Sequence, residues 1–209
     1  MAAALVGVCA AAGVGACAIG WSTAGFRALT YDGARAAMVA ETPRPVPAVS
    51  AFAADGRSVP LFEPGTVTIV DFLSTACTSV CLAQGAAFAR LQDSVRGREA
   101  RGSREAGAPV RLVSVSFDPD DDDRRLAAYA ESRGAMDPAW RIRRVAATDR
   151  QALLDAFGIV VVRDPVAGWR HNAAFHVVDA RGSLTAIVPV EAPATALRVA
   201  DAAALRARP

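Results

Sequence analysis

Lysine is absent from this chain of 209 residues, and all 23 basic residues are arginines. A lysine that forms a Schiff base with a carbonyl substrate is therefore excluded. The formal net charge is only +2, and the sequence has neither a basic stripe interleaved with aromatic residues nor zinc-finger spacing. These absences argue against a nucleic-acid partner. Only 6% of the residues are aromatic while 53% are hydrophobic, which is typical of a globular domain with an added apolar segment.

Charge is also missing from residues 2–21, which read AAALVGVCAAAGVGACAIGW. This length suits a membrane span, and four glycines would make a poor soluble helix. We predict that residues 1–24 form a membrane anchor or a signal segment, with cleavage of a signal peptide as the alternative. No arginine precedes the segment, whereas Arg27 and Arg35 follow it, so the positive-inside rule does not favour an exported C-terminal domain.

The rest of the chain alternates strand-like and helix-like segments, without an internal repeat. A proline-rich connector at 43–47 ends a predicted linker, residues 25–45, and we expect one domain over residues 46–209. An Asp-Gly pair at 55–56 predicts a hairpin turn, and residues 96–109 are polar and glycine-rich, as in a surface loop.

Hydrophobic patterns predict the main elements of this domain. They are strands at 66–74, 110–118, 140–147 and 159–162, helices at 78–95, 121–133 and 149–157 with Asp149 as N-cap, a hairpin at 172–190 and a helix from about 193. Four carboxylates at 120–123 open one helix, where acidic residues are ordinary. The order predicts an α/β fold compatible with a thioredoxin-like sheet.

Cys77 and Cys81 come directly after the predicted strand at 66–74. We expect Cys77 at the strand-to-helix turn and Cys81 one helical turn further on, so that the thiols share a helix face with Cβ atoms about 5–6 Å apart. Backbone N–H groups and the helix macrodipole should favour the thiolate form. The pair is placed either to close reversibly into a disulfide or to bind a soft metal ion. Cys9 and Cys17, inside the apolar segment, are expected to be small buried side chains.

The chain has only two histidines, His171 and His176, in the stretch WRHNAAFHVVDARG. Two thiolates and one imidazole suit copper, because thiolates select Cu(I) and imidazole also binds copper well. His171 should lie in a loop at a sheet edge, and His176 within the strand that follows. Either could instead be an ordinary core or surface histidine.

Three further side chains could support such a site. Asp71 and Asp118 follow or end strand-like runs, although a turn would explain Asp118 equally well. Trp169 beside His171 could shield the site, with packing as the alternative. Ser74 and Thr75 have no positioned base, so a serine hydrolase is not supported.

The stretch VDFLSTACTSVC, followed about 90 residues later by HNAAFHVVDARG, resembles the SCO/SenC family of copper-delivery proteins for cytochrome c oxidase. Similar stretches, SVSFDP at 114–119 and LLDAFGIVVV at 153–162, extend the resemblance over roughly residues 25–190. The family's thioredoxin-like fold is implied for this chain. So is a membrane-anchored domain that faces the periplasm or the outside of the cell.

The resemblance also implies a set of copper ligands, namely Cys77, Cys81 and His171. His176 occupies a place that the family usually fills with an aromatic residue, so we expect it to be structural. The proline that often follows the first cysteine is Thr78 here, which marks a divergent member without touching a ligand.

Three functions remain open from the sequence. The first is a copper metallochaperone that passes its ion to a cytochrome c oxidase subunit or another copper-accepting protein. The second is a thiol–disulfide oxidoreductase that acts on cysteines of an exported or oxidase-subunit protein. Against it, the spacing is not the Cys-x-x-Cys of thioredoxins, and Val70 and Ser74 do not fit the peroxiredoxin pattern. The third is a structural Cys77–Cys81 bridge, whose small ring would stabilise little. Only copper binding requires His171.

Overall fold

The apolar runs of the sequence form the centre of a mixed sheet in the computed structural model, which describes residues 2–23, 30–52, 56–77, 80–100, 107–164 and 168–207. The helices are α1 (Ala2–Ser22), α2 (Tyr31–Glu41), α3 (Val80–Ala100), α4 (Asp123–Arg133), α5 (Ala147–Phe157) and α6 (Pro193–Arg206). The strands are β1 (Arg44–Pro45), β2 (Ser50–Phe52), β3 (Ser58–Pro60), β4 (Val67–Leu73), β5 (Val110–Ser116), β6 (Trp140–Val145), β7 (Val161–Asp164), β8 (Gly168–His171), β9 (Ala174–Val178) and β10 (Ser183–Pro189).

The large sheet has the strand order β1-β10-β9-β4-β5-β6-β2-β3. Strands β4, β5 and β6 run parallel, and β9 joins β4 in the antiparallel direction. All seven residues of β4 are buried, as expected for a central strand with both faces covered. β7 and β8 form a separate antiparallel ribbon. This confirms the predicted α/β class, the central position of β4 and the β9–β10 hairpin.

Two apolar layers cover the two faces of the sheet, because alternate residues of β4 point to opposite sides. Ile69 and Leu73 pack with residues of α3, α4 and α6 in one layer. Val70 and Phe72 pack with residues of α2 and α5 in the other. Asp71 therefore points to the same side as Ile69 and Leu73, toward α3.

Residues 30–45, within the predicted linker, contact this sheet. Thr30 caps α2, since its hydroxyl oxygen accepts a hydrogen bond from the Gly33 N–H at 3.0 Å. Val39 of α2 is fully buried in the apolar layer shared with α5. β1, inside the proline-rich connector, pairs with β10. This stretch of chain is thus held against the domain by packing and strand pairing.

Several predicted boundaries differ from the observed ones. β2 and β3 form the predicted hairpin with Gly56 at a positive φ of 78°, while Asp55 lies outside the described residues. α3 continues to Ala100, so residues 96–100 are helical where we expected a loop. The N-cap of α5 is Ala146, and Asp149 lies in its first turn. An acidic side chain is favourable both at the N-cap and in the first turn of a helix. The presence of Asp149 therefore could not tell us where α5 begins.

At the N-terminus, the predicted apolar segment forms α1. Cys9 and Cys17 are exposed, contrary to the expectation of buried side chains, because α1 leaves apolar residues such as Val8 and Val14 exposed around them. Within the described ranges, no helix combines the length and apolarity needed to cross a membrane. The predicted membrane span is therefore not confirmed.

Candidate metal centre

The three predicted ligands lie on two segments that meet beyond the carboxyl end of the central strand β4. Cys77 lies in the loop after β4, and Cys81 lies in the first turn of α3. Because α3 begins at Val80, the two cysteines do not share a helix face, and that part of the prediction is wrong. His171 is the last residue of β8 rather than a loop residue, since the ribbon with β7 extends to it.

Cys81 and His171 are brought together across 90 positions of sequence, with 3.6 Å between Cys81 Sγ and His171 Nε2. The Cys77 thiol makes a hydrogen bond with the Cys81 thiol, and neither cysteine is in a disulfide. Cys77 is 5% exposed and Cys81 1%. Among the residues that the structure describes, no group of three or more His, Cys, Asp or Glu side chains is arranged to hold a metal ion. The arrangement thus joins one thiol to one imidazole, with the second thiol adjacent to the first.

Burial controls the protonation of both groups. It raises the pKa of the Cys81 thiol, and the hydrogen bond with Cys77 and the negative charge of Asp71 act in the same direction. This contradicts the expected thiolate, because the loss of hydration outweighs the favourable helix terminus. Burial lowers the pKa of His171 to about 4. At neutral pH the site therefore holds a thiol and a neutral imidazole.

The loop that carries Cys77 is fastened by two carboxylates. Ser74 Oγ donates to Asp118 Oδ2 at 2.6 Å. The Thr75 N–H donates to Asp121 Oδ2 at 3.0 Å, and the Thr75 hydroxyl also donates to Asp121. Asp118 thus supports the loop through Oδ2. It also closes a turn, because its Oδ1 accepts from the Asp120 N–H at 3.0 Å, so both interpretations of this residue apply. Asp121 was missed, although it follows β5, whose carboxyl end lies beside that of β4.

Asp71 lies under the site, fully buried on β4. Burial raises its pKa to about 7, although a hydrogen bond with Ser114 acts in the opposite direction. Its Oδ1 atom has no hydrogen-bond partner, while Ser114 Oγ also accepts from Trp140 Nε1 at 2.9 Å. Asp71 therefore adds a titratable group close enough to Cys81 to influence the pKa of that thiol.

Different aromatic residues pack against each of the two histidines. His171 packs edge-on against Phe117, with ring centroids 5.0 Å apart, and Phe117 in turn contacts Trp169 at 6.3 Å. Trp169 thus packs behind the ring that contacts His171. His176 has no exposed surface and lies between Phe72 and Phe157, with ring centroids 5.8 and 5.4 Å away. Its apolar surroundings agree with the expected structural role.

A family model described as SCO1/SenC matches residues 62–205 of the chain. No match was found among the curated proteins. Many solved structures share the fold, and three illustrate the range of similarity. A SCO1/SenC family lipoprotein from Bacillus anthracis str. Ames is 22% identical, with a TM-score of 0.60 and coverage of 76% of this chain and 98% of that one.

The second is BsSco, a member of the Sco family of cytochrome c oxidase assembly proteins. It is 20% identical, with a TM-score of 0.59 and coverage of 77% of this chain and 95% of that one. The third is ScoI of Arabidopsis thaliana with copper bound, at 16% identity and a TM-score of 0.57, with coverage of 76% and 95%. These likenesses confirm the predicted thioredoxin-like fold. Because the family model covers more than half of its residues, the chain belongs to the SCO1/SenC family.

Proposed function

We propose that this protein is a metallochaperone that binds copper and delivers it to cytochrome c oxidase during assembly of that enzyme. Membership of the SCO1/SenC family supports the proposal. So do two structural neighbours, one solved with copper bound and one from a family of cytochrome c oxidase assembly proteins. Copper is the cargo here, and the recipient is an oxidase subunit or another copper-accepting protein.

Cys77, Cys81 and His171 are the proposed ligands. The observation that carries this assignment is the 3.6 Å separation of Cys81 Sγ and His171 Nε2, two donor types that Cu(I) accepts. The low pKa of His171 keeps its ring neutral, as a metal ligand must be. Cys77 lies within hydrogen-bond reach of Cys81 and supplies the third donor.

Burial of the thiols couples binding to proton release. A thiolate is the metal ligand, whereas the raised pKa of Cys81 keeps this group protonated without an ion. Each thiol that binds copper must therefore lose its proton, and affinity should rise with pH. The same property favours release when a recipient offers thiolates that are already deprotonated.

The location of the protein follows the same proposal. We assign residues 1–24 to a membrane anchor or signal segment, residues 25–45 to a linker and residues 46–209 to the copper-binding domain, which faces the periplasm or the outside of the cell. The uncharged run at 2–21 supports this assignment, and the relative from Bacillus anthracis is a lipoprotein.

A second candidate function is thiol–disulfide exchange with an exported or oxidase-subunit protein, through a reversible Cys77–Cys81 disulfide. The hydrogen bond between the two thiols favours it, because they are close enough to interact. The raised pKa of Cys81 weighs against it, since a thiol that is rarely deprotonated attacks disulfides slowly. The copper function is therefore the better supported of the two.

A Cu(I) titration of the full chain tests the proposal. The protein is reduced, kept without oxygen and titrated against a competing chelator in a C9S/C17S background, because those exposed thiols would bind copper as well. We expect one copper per chain. H171A and C77S should each weaken binding by more than the roughly 10- to 100-fold typical of losing an outer-shell partner. H176F, which keeps an aromatic ring in the core, is the matched control and should bind as tightly as the parent.

Weak binding, or binding that is unchanged in H171A, would contradict the chaperone proposal. The reduction potential of the Cys77/Cys81 pair would then be the decisive measurement for the second candidate.

A further inference from the structure

Asn172, the residue after His171, uses both ends of its side-chain amide. Its Oδ1 atom accepts from the Val160 N–H at 2.7 Å. Its Nδ2 group donates to Asp32 Oδ1 and to the Gly158 carbonyl oxygen, each at 3.1 Å. One side chain therefore joins the end of β8 to the segment after α5 and to α2, which lies 140 positions away in sequence.

Asp32 is itself held in place by a buried arginine. Arg35 Nη1 donates to Asp32 Oδ1 at 2.8 Å, and Arg35 Nη2 donates to the Phe157 carbonyl oxygen. Only 4% of Arg35 is exposed. Gly158 has a positive φ of 61°, and a Cβ atom there would lie 2.6 Å from Arg35 Nε, so the guanidinium fills the space that a side chain would need. α2 is thus fastened to the end of α5, and Asn172 extends this connection to the site.

Within the described part of the chain, no side chain orients the His171 ring through its second nitrogen. A metal-binding histidine ordinarily donates its second ring N–H to a carboxylate or carbonyl, which fixes the ring. Here Nδ1 of His171 is buried without a side-chain partner, the backbone of Asn172 interacts with the imidazole, and Nε2 faces Cys81. The orientation of the ring must therefore depend on packing against Phe117 and on the position of the backbone.

We propose that Asn172 is a positioning residue that holds His171 against Cys81 by anchoring the adjacent backbone to α2 and to the end of α5. Three hydrogen bonds from one side chain restrict where β8 ends, and His171 is the last residue of that strand. The expected effect of Asn172 on copper affinity rests on the proposed function. Its expected effect on the position of the His171 ring in the metal-free protein does not.

Copper binding by N172A is the first test, in the same C9S/C17S full chain. We expect an affinity loss of about 10-fold, the lower end for outer-shell changes. Pulsed electron paramagnetic resonance of the Cu(II)-loaded protein should show a weakened coupling to an imidazole nitrogen. D32N keeps an oxygen that can accept from Asn172, so its affinity should stay within about 3-fold of the parent.

Gln92 offers a matched control. Its side chain donates to the Gly134 carbonyl oxygen at 2.9 Å and accepts from the Met136 N–H at 2.6 Å, so it bridges two segments as Asn172 does. Q92A should cost stability but leave copper affinity and the nitrogen coupling unchanged. If N172A fails to fold, N172D replaces it, because the carboxylate still accepts from the Val160 N–H while both donated bonds are lost.

The metal-free protein gives an independent measurement. Nuclear magnetic resonance of the imidazole nitrogens should show one environment for His171 in the parent and several, or a shifted one, in N172A. Unchanged signals together with unchanged copper affinity would overturn the inference, and so would an equal loss of affinity in Q92A. If H171A itself does not weaken copper binding, the proposed function fails, and the imidazole signals alone decide the role of Asn172.

Discussion

The two histidines lie five residues apart, and their surroundings differ. His171 ends β8 beside a thiol, whereas His176 lies in β9, between Phe72 and Phe157. Burial lowers the pKa of both, to about 4 for His171 and about 3 for His176, where the positive charge of Arg35 adds to the effect. A neutral imidazole with little access to water is therefore not by itself a sign of a metal ligand. His171 differs from His176 in that it contacts a second possible donor, the Cys81 thiol.

The largest effect that we expect from the burial of His176 is a loss of stability in acid. The folded protein keeps His176 neutral down to a pH of about 3, whereas the unfolded chain binds a proton near pH 6.5. The stabilisation is therefore present above pH 6.5 and is lost as the pH falls toward 3, by at most about 5 kcal/mol at 1.36 kcal/mol per pH unit.

H176F should remove this part of the acid sensitivity. Urea unfolding of the parent and of H176F between pH 7 and 4 is the measurement. H171A is the comparison variant, and it should lose only the smaller part of the acid sensitivity that follows from the His171 pKa of about 4. Parallel pH profiles for parent and H176F would mean that His176 is hydrated and protonated in the folded state.

Asp71, a buried carboxyl group, should show the opposite dependence of stability on pH. Burial raises the pKa of Asp71 to about 7, so the folded state keeps a proton that the unfolded chain loses near pH 3.8. Stability from this group is present below pH 3.8 and is lost as the pH rises through 7. D71N should be more stable than the parent at pH 8, by at most about 4 kcal/mol, and similar to it near pH 4. Thermal or urea unfolding of the parent and of D71N at both pH values is the measurement. If the difference in stability between them is the same at pH 4 and pH 8, Asp71 does not titrate between these values and the prediction is wrong.

The smallest effect is the difference in stability cost between replacing His176 and replacing His171 with alanine. His176→Ala should cost about 3 kcal/mol, because it leaves a cavity between two phenylalanines. His171→Ala should cost about 1 kcal/mol, since that side chain is only half-buried. Urea unfolding at pH 7 without copper measures both, and a larger loss in H171A would show that His171 contributes more to packing than His176 does.

Much of the fold could be predicted from the sequence because hydrophobic periodicity is local. The continuous apolar run of β4 and the Gly182 turn between β9 and β10 are visible in short windows, and both were confirmed. Helix boundaries were less accurate, as at α3 and α5, because acidic and glycine residues are compatible with either side of a helix end.

For the candidate site too, some residues could be predicted from the sequence and others could not. Residue types and spacing were enough to single out Cys77, Cys81 and His171 and, through the family resemblance, to favour His171 over His176. The supporting residues Asp121, Phe117 and Asn172 were not predicted, because their partners lie far away in sequence.

The sequence by itself determined the α/β order of elements, the family and the donor types available for a metal. Only the tertiary structure decided how those donors behave. It places Cys81 where burial raises the pKa of the thiol against the effect of the helix terminus, and it places Asp32 against Asn172 across 140 positions of chain. Hydration and long-range contact are properties of the packed chain, and a linear pattern contains neither.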